Sequence, residues 1–244
     1  MVRENIKPAF HFKQFNIVQT RAAMKLNTDG VLLGAWTITG DSRNILDIGT
    51  GTGILALMMA QKSSAISEIT AVEIDKNSCL DAGINFKNSP FFHKIKLIHQ
   101  SIQNFSENTK KSFDLIISNP PYYTEGTSPN DANRASVKHT INLPHRELLF
   151  SVSKLLTDNG SFNLILPFTE GKKFIKSAEE FTLFPENITH VVSVEGRPVE
   201  RLLIRLCKFK KDTIHDSITI KHSDNLTFTE KYIRLTKEFY MKFP

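Results

Sequence analysis

The 244-residue chain reads as an α/β protein: a mostly parallel sheet with helices on both faces and an antiparallel strand at one edge. Three observations predict this. From Asn44 onward, short apolar runs alternate with helical patterns, an order that forms a parallel sheet covered on both sides. His190–Val194 and Leu202–Cys207 follow one another as strands with no helical pattern between them, which calls for an antiparallel partner at an edge. The hydrophobic fraction of 40% suits a chain with a substantial core.

Taken in order, residues 1–43 form an N-terminal arm and helix. The F-H-F-K-Q-F alternation at 10–15 reads as an edge strand or as an arm with one apolar face. Thr28-Asp29-Gly30 precedes V-L-L-G-A-W, and Thr28 or Asp29 is the expected helix N-cap. Residues 44–211 make the core sheet. Its strands are expected at Asn44–Ile48, Ile69–Ile74, Ile95–His99, Phe113–Ser118 and Ser161–Leu166, then the closing pair. Helices are expected at Gly53–Gln61, Lys76–Phe86, Leu148–Leu156 and Lys172–Phe181. Residues 212–244 add a short strand at Ile218–Lys221 and a helix from Glu230 to Phe243. Without repeats, low-complexity tracts or a linker, a single domain is expected.

No apolar run is long enough to span a bilayer and no apolar leader with a cleavage site opens the chain. A soluble cytoplasmic protein, monomeric and without membrane association, is therefore expected. Cys79 and Cys207 lie far apart without metal-ligand spacing and read as buried thiols; the eight scattered histidines give no metal site. The formal net charge is +6, with basic clusters at Arg3, Lys7, Lys13, Arg21 and Lys25 and again from Arg197 through Arg201 and Arg205 to Lys211. Such clusters suit a polyanionic partner, and equally a solvated basic surface.

Two stretches carry chemistry. N-I-L-D-I-G-T-G-T-G-I-L at 44–55 is a strand, a turn with Gly49, Gly51 and Gly53, and a helix. Glycines there permit positive φ and close approach of a ligand to the backbone. A dinucleotide site wants G-x-G-x-x-G, whereas this turn is G-x-G-x-G with Asp47 two residues ahead, a carboxylate that would repel a pyrophosphate and suit a cationic ligand. Glu73, about 20 residues on, ends the second strand where an acid accepts hydrogen bonds from a ribose diol. The second stretch is S-F-D-L-I-I-S-N-P-P-Y-Y at 112–123. Two prolines stop a buried strand, leaving the Asn119 amide, the Pro120 carbonyl and the Tyr122 ring together at a strand's carboxyl end. That grouping suits a flat group bearing an NH₂.

The glycine turn resembles motif I of class I S-adenosylmethionine-dependent methyltransferases, and N-P-P-Y at 119–122 resembles their motif IV in enzymes that methylate planar amino nitrogens. The chain is similar, more narrowly, to the bacterial tRNA(Val) (adenine-N6)-methyltransferases, which modify the adenosine 3′ of the anticodon. F-K-Q-F at 12–15, A-A-M-K-L-N-T-D-G at 22–30, L-L-G-A-W at 32–36, L-A-L-M at 55–58 and E-K-Y-I-R-L-T-K-E-F-Y at 230–240 carry this likeness.

The resemblance implies a Rossmann-like, seven-stranded methyltransferase fold, S-adenosyl-L-methionine as cofactor and tRNA as partner. It implies that Asn119 and Pro120 accept the two N–H bonds of the adenine amino group and that Tyr122 stacks on the base. Cofactor binding falls to Asp47, Gly49, Thr50, Gly51, Gly53, Glu73, Ile74 and Asn119, with Thr28, Asp29 and Gly30 near the methionine end. Where many relatives carry an acid for the cofactor adenine, this chain has Gln100-Ser101-Ile102, so Ser101, or a backbone N–H beside Ile102, is expected to serve. The polar loop 123–140, with Arg134, Lys138 and His139, and the Arg197–Arg201 turn are either RNA contacts or ordinary surface. A protein glutamine amide, DNA adenine, or non-catalytic RNA binding are the alternatives.

Overall fold

The computed structural model describes residues 9–22, 24–121 and 144–244. A two-stranded hairpin, β1 (Phe10–His11) and β2 (Asn16–Ile17), opens the chain, followed by α1 (Thr28–Trp36). Then come β3 (Asn44–Ile48), α2 (Ile54–Lys62), β4 (Glu68–Glu73), α3 (Lys76–Lys87), β5 (Ile95–His99), α4 (Ile102–Asn108) and β6 (Phe113–Ser118). The chain continues with α5 (His145–Leu155), β7 (Leu156–Pro167), α6 (Phe168–Ala178), β8 (Phe184–Val194), β9 (Arg201–Cys207), β10 (Ile214–Lys221) and α7 (Glu230–Thr236).

The central sheet runs β10-β8-β9-β7-β6-β3-β4-β5. Every pairing is parallel except those of β9, which is antiparallel to both β7 and β8. The antiparallel strand therefore lies toward one end of the sheet but is not outermost. Among the described residues the sheet has eight strands rather than seven, because residues 214–217 extend the expected short strand and pair alongside β8. Their exposed outer positions mask the strand pattern in sequence.

Side chains alternate across the sheet, as strand geometry requires. Ile45, Leu115, Ile117, Ile165 and Leu203 face a layer formed by α1, α2, α3, α7 and the arm. Leu46, Ile116, Phe162, Leu164 and Ile204 face α4, α5 and α6. Helix α1 is buried along Gly30–Ala35, which explains why its sequence is apolar all round. Its N-cap is Asn27, whose Oδ1 accepts from the Gly30 N–H at 2.9 Å, so neither Thr28 nor Asp29 caps the helix; both belong to its first turn. The C-terminal helix stops at Thr236 and not at Phe243, because Phe239 and Phe243 turn back to bury their rings, Phe243 edge-on to Tyr232.

Two lysines finish the helices of the first layer. Lys62 Nζ donates to the carbonyls of Gly34 (3.2 Å), Ala35 (2.6 Å) and Thr37 at the end of α1. Lys94 Nζ does the same for α2, reaching Ala60 O at 2.7 Å and Ser63 O at 3.1 Å. Both meet the carbonyl ends of helix dipoles, where a cation is stabilising. Burial pushes the Lys62 ammonium down to about 8.

The β3–α2 turn is held from below by Asp47, whose side chain is fully buried. Its Oδ2 accepts from Thr50 Oγ1 at 2.5 Å and from the Ala56 N–H at 3.0 Å, while Oδ1 has no partner among the described residues. Burial pushes this carboxyl up to about 7, outweighing the hydrogen bonds from Thr50 and Ala56 that favour the anion; the nearby Glu73 charge adds to the rise.

Lys62→Met would leave three carbonyls at the end of α1 without their charged donor, and should lower stability by about 2 kcal/mol, seen as a lower urea midpoint. For Asp47, a folded-state pKa above the unfolded value means the folded protein holds the extra proton. Stability is therefore lost as pH rises from about 4 through 7. Asp47→Asn can keep both bonds through its one oxygen and cannot ionise. Raising the pH from 5 to 8 should weaken the wild type relative to this variant by about 3 kcal/mol. Parallel urea midpoints across that range would refute the assignment.

Candidate active site

A cavity opens at the carboxyl ends of β3, β4, β5 and β6, the crevice where open α/β sheets bind ligands. Three hydrogen bonds align these strand ends. Gly49 N donates to Val72 O at 2.9 Å, Gln100 N to Glu73 O at 2.9 Å, and Ser118 Oγ to Ile48 O at 2.8 Å. The last bond ties the strand that delivers Asn119 to the strand that delivers the glycine turn.

The turn has the open geometry its glycines suggest. Gly49, Gly51 and Gly53 take φ of 69°, 56° and 86°, in the left-handed region that favours glycine. Among the described residues, a Cβ on Gly49 would meet nothing within 4 Å and one on Gly51 only the Gly49 carbonyl at 4.0 Å, which leaves space above the turn for a ligand. Gly53 serves a different purpose: a Cβ there would sit 2.3 Å from the Phe86 ring, so this glycine lets α2 start against α3.

Glu73, almost fully buried, bridges the turn to the next loop. Oε2 accepts from the Gly51 N–H and Oε1 from the Asp75 N–H, both at 2.8 Å. Burial raises its proton affinity, opposed by those backbone bonds. Each oxygen keeps a lone pair, so the carboxylate can accept two further hydrogens from a diol at the cavity wall.

Of the residues singled out in the sequence, Gly30, Gly49, Thr50, Gly51, Glu73, Ile74, Ser101, Ile102, Asn119 and Pro120 line this one cavity. Asp47 and Gly53 do not line it; Asp47 is bonded to the turn through Thr50 and Gly53 packs against Phe86. Thr28 and Asp29 are not on the wall either: a helical turn carries them past it, and Asp29 Oδ2 accepts from Arg201 Nε at 2.9 Å. Ser101 caps α4, accepting from the Asn104 N–H at 3.2 Å, which leaves its O–H able to donate. Tyr122, Arg134, Lys138 and His139 lie outside the described residues. Asn119 neighbours the start of α1, since a Cβ on Gly30 would be 3.8 Å from its Nδ2.

Further lining comes from Met24, Lys25, Leu26 and Asn27, and from Asp75, Gln100 and Gln103. Asp75 could have been found from its place two residues after Glu73 and its role as cap of α3, where its Oδ1 accepts from the Ser78 N–H at 2.7 Å. The stretch 24–27 has no pattern that marks it as a wall. Among the described residues no group of three or more His, Cys, Asp or Glu is placed to hold a metal ion, and no helix is long and apolar enough to cross a membrane.

A family model described as methyltransferase small domain matches residues 25–164. The solved structure of a predicted O-methyltransferase from Agrobacterium tumefaciens is similar in fold, with a TM-score of 0.66 at 18% identity, covering 86% of this chain and 96% of that one. A precorrin-6y C5,15-methyltransferase from Geobacter metallireducens gives 0.53 at 15% identity, covering 80% and 93%. In sequence, the tRNA1(Val) (adenine(37)-N6)-methyltransferase of Flavobacterium psychrophilum is 40% identical over 96% of this chain and 99% of its own length. The protein of the same name from Bacteroides fragilis is 39% identical over 97% and 99%. At this identity over nearly the whole of both chains, this chain belongs to the tRNA1(Val) (adenine(37)-N6)-methyltransferase family.

Proposed function

We propose that this protein transfers a methyl group from S-adenosyl-L-methionine to the exocyclic 6-amino nitrogen of an adenosine in tRNA, at position 37 of a valine tRNA. One observation carries the reading: Asn119 and Pro120 share a single cavity with the glycine turn and Glu73. A donor site and an amino-group acceptor site are thus side by side.

The cavity's donors and acceptors fit the cofactor. The open cradle over Gly49 and Gly51 accommodates its body, Glu73 suits a ribose diol, and Ile74 and Ile102 offer apolar surface to a purine. Bound S-adenosylmethionine supplies an electrophilic methyl sulfonium. Everything else falls to the chain. The adenine 6-amino nitrogen is conjugated with its ring and nucleophilic only weakly. The Asn119 side-chain oxygen and the Pro120 carbonyl accept its two N–H bonds, draw it toward sp³ geometry and aim its lone pair. Tyr122 stacks on the base. Such a reaction runs on positioning and electrostatics; the amino proton, strongly acidic once the nitrogen is methylated, passes to water, so no separate general base is needed. An anticodon-loop base is already partly unpaired, which keeps extrusion to about a few kcal/mol or less. A single-domain monomer acting in the cytoplasm on tRNA completes the reading.

The test incubates purified protein with methyl-labelled S-adenosylmethionine and total tRNA from a strain lacking the gene, followed by nucleoside mass analysis. Labelled 6-methyladenosine mapped beside the valine anticodon is the expected outcome. Label on DNA or protein amides, and none in tRNA, would refute it. Asn119→Ala should reduce kcat by about 10²-fold or more, while S-adenosylhomocysteine affinity stays within about threefold. Unimpaired turnover would remove Asn119 from the acceptor role.

A further inference from the structure

Between Ile17 and the start of α1 at Thr28 the described residues form neither helix nor strand, yet Met24–Asn27 build one wall of the cavity. Hydrophobic burial holds this wall only in part, through Leu26, which packs against the core. Ala22 is the one fully buried apolar side chain in that interval among the described residues; Leu26 is half-buried and Met24 exposed. Its position comes from two polar side chains one turn apart on α3. Asp81, with no solvent exposure, gathers donors from three consecutive residues. Its Oδ2 accepts from the N–H groups of Arg21 (2.7 Å) and Ala22 (2.9 Å), and its Oδ1 from Thr20 Oγ1 at 3.1 Å and Arg21 Nη1 at 3.5 Å. Asn85 accepts from Val18 N–H at 2.8 Å. Its Nδ2 donates to Val18 O at 2.9 Å and to Thr52 O, within the glycine turn, at 2.8 Å. Gln19 Oε1 accepts from Leu26 N–H at 2.7 Å, carrying the restraint into the wall itself.

We infer that Asp81 and Asn85 are positioning residues for S-adenosylmethionine: they latch residues 18–22 to α3 and so hold Met24–Asn27 against the cofactor. Neither side chain lines the cavity, so Asp81 acts through the arm and Asn85 through the arm and the Thr52 carbonyl of the turn. A buried carboxylate with its acceptor sites matched to backbone N–H groups is a rigid anchor, since any displacement of the arm leaves a buried charge unpaired. This inference rests on the cofactor reading above. Its signature is a loss of cofactor affinity with little change in the methyl-transfer step, because Asn119 and Pro120 are carried by a different strand.

The test is calorimetric titration of the full-length protein with S-adenosylhomocysteine, with steady-state kinetics on tRNA alongside. Asp81→Asn and Asn85→Ala should each raise Kd and the KM for S-adenosylmethionine by about tenfold or more, with kcat at saturation within about twofold. Thr20→Val deletes only one donor and keeps the latch assembled; a Kd raised by about threefold is expected, and this variant decides the matter if the others fold poorly. Phe174→Leu, in the opposite layer, should lower Tm without moving Kd, which separates general destabilisation from loss of the wall. Affinity unchanged in the latch variants while the wild type binds would overturn this inference alone. No binding by the wild type would overturn the cofactor reading, and this inference with it.

Discussion

A buried carboxylate beneath a glycine turn sets the geometry on which the rest of the site depends. Asp47 draws the Thr50 hydroxyl and the Ala56 N–H toward one oxygen, which folds residues 49–53 sharply enough for α2 to begin at Ile54. Glycine adopts at little cost the left-handed conformations that follow at Gly49, Gly51 and Gly53. The same turn directs the Gly51 N–H at Glu73, so the ends of two strands are joined by a charge-assisted hydrogen bond at the cavity wall. Asp47 lies outside the cavity yet determines its floor.

Around this turn, polar groups in the first layer act as connectors between elements. Lys62 and Lys94 close the carbonyl ends of α1 and α2, Ser118 ties β6 to β3, and Asn85 joins α3 both to the arm and to the turn. Each is a buried or half-buried polar group whose partners are backbone atoms of a different element. Such groups contribute modestly when paired and cost much when a partner is removed. They therefore specify relative placement, while the alternating apolar faces of the sheet supply the bulk of the driving force.

That division of labour bears on function. Amino-group methylation asks little of acid–base chemistry and much of alignment between a donor and a weak nucleophile. The rigid part of the alignment is the adjacency of β3 and β6 in the sheet, which puts the glycine turn and Asn119 at one crevice. The other part is the arm, an irregular segment fixed by hydrogen bonds to α3.

Much of this was legible in the chain alone. Alternation of strand and helix, the D-I-G-T-G-T-G turn, Glu73 and N-P-P-Y are local patterns, and local sterics and periodicity suffice to read them. What the sequence could not determine was decided by contacts between distant segments. Asn27 rather than Thr28 or Asp29 caps α1, since the cap depends on where the backbone enters the helix. The position of β9 inside the sheet and of β10 outside it follows from pairing among strands, which leaves no trace in the periodicity of either. The C-terminal helix ends early because Phe239 and Phe243 gain more by turning back into the core than by continuing the helix. Asp81 and Asn85 read as ordinary helix residues until the fold brings the arm, some 60 positions away, against them. Sequence by itself determined the elements and the chemistry at their ends; only tertiary structure, through long-range burial and hydrogen bonding, decided which elements meet.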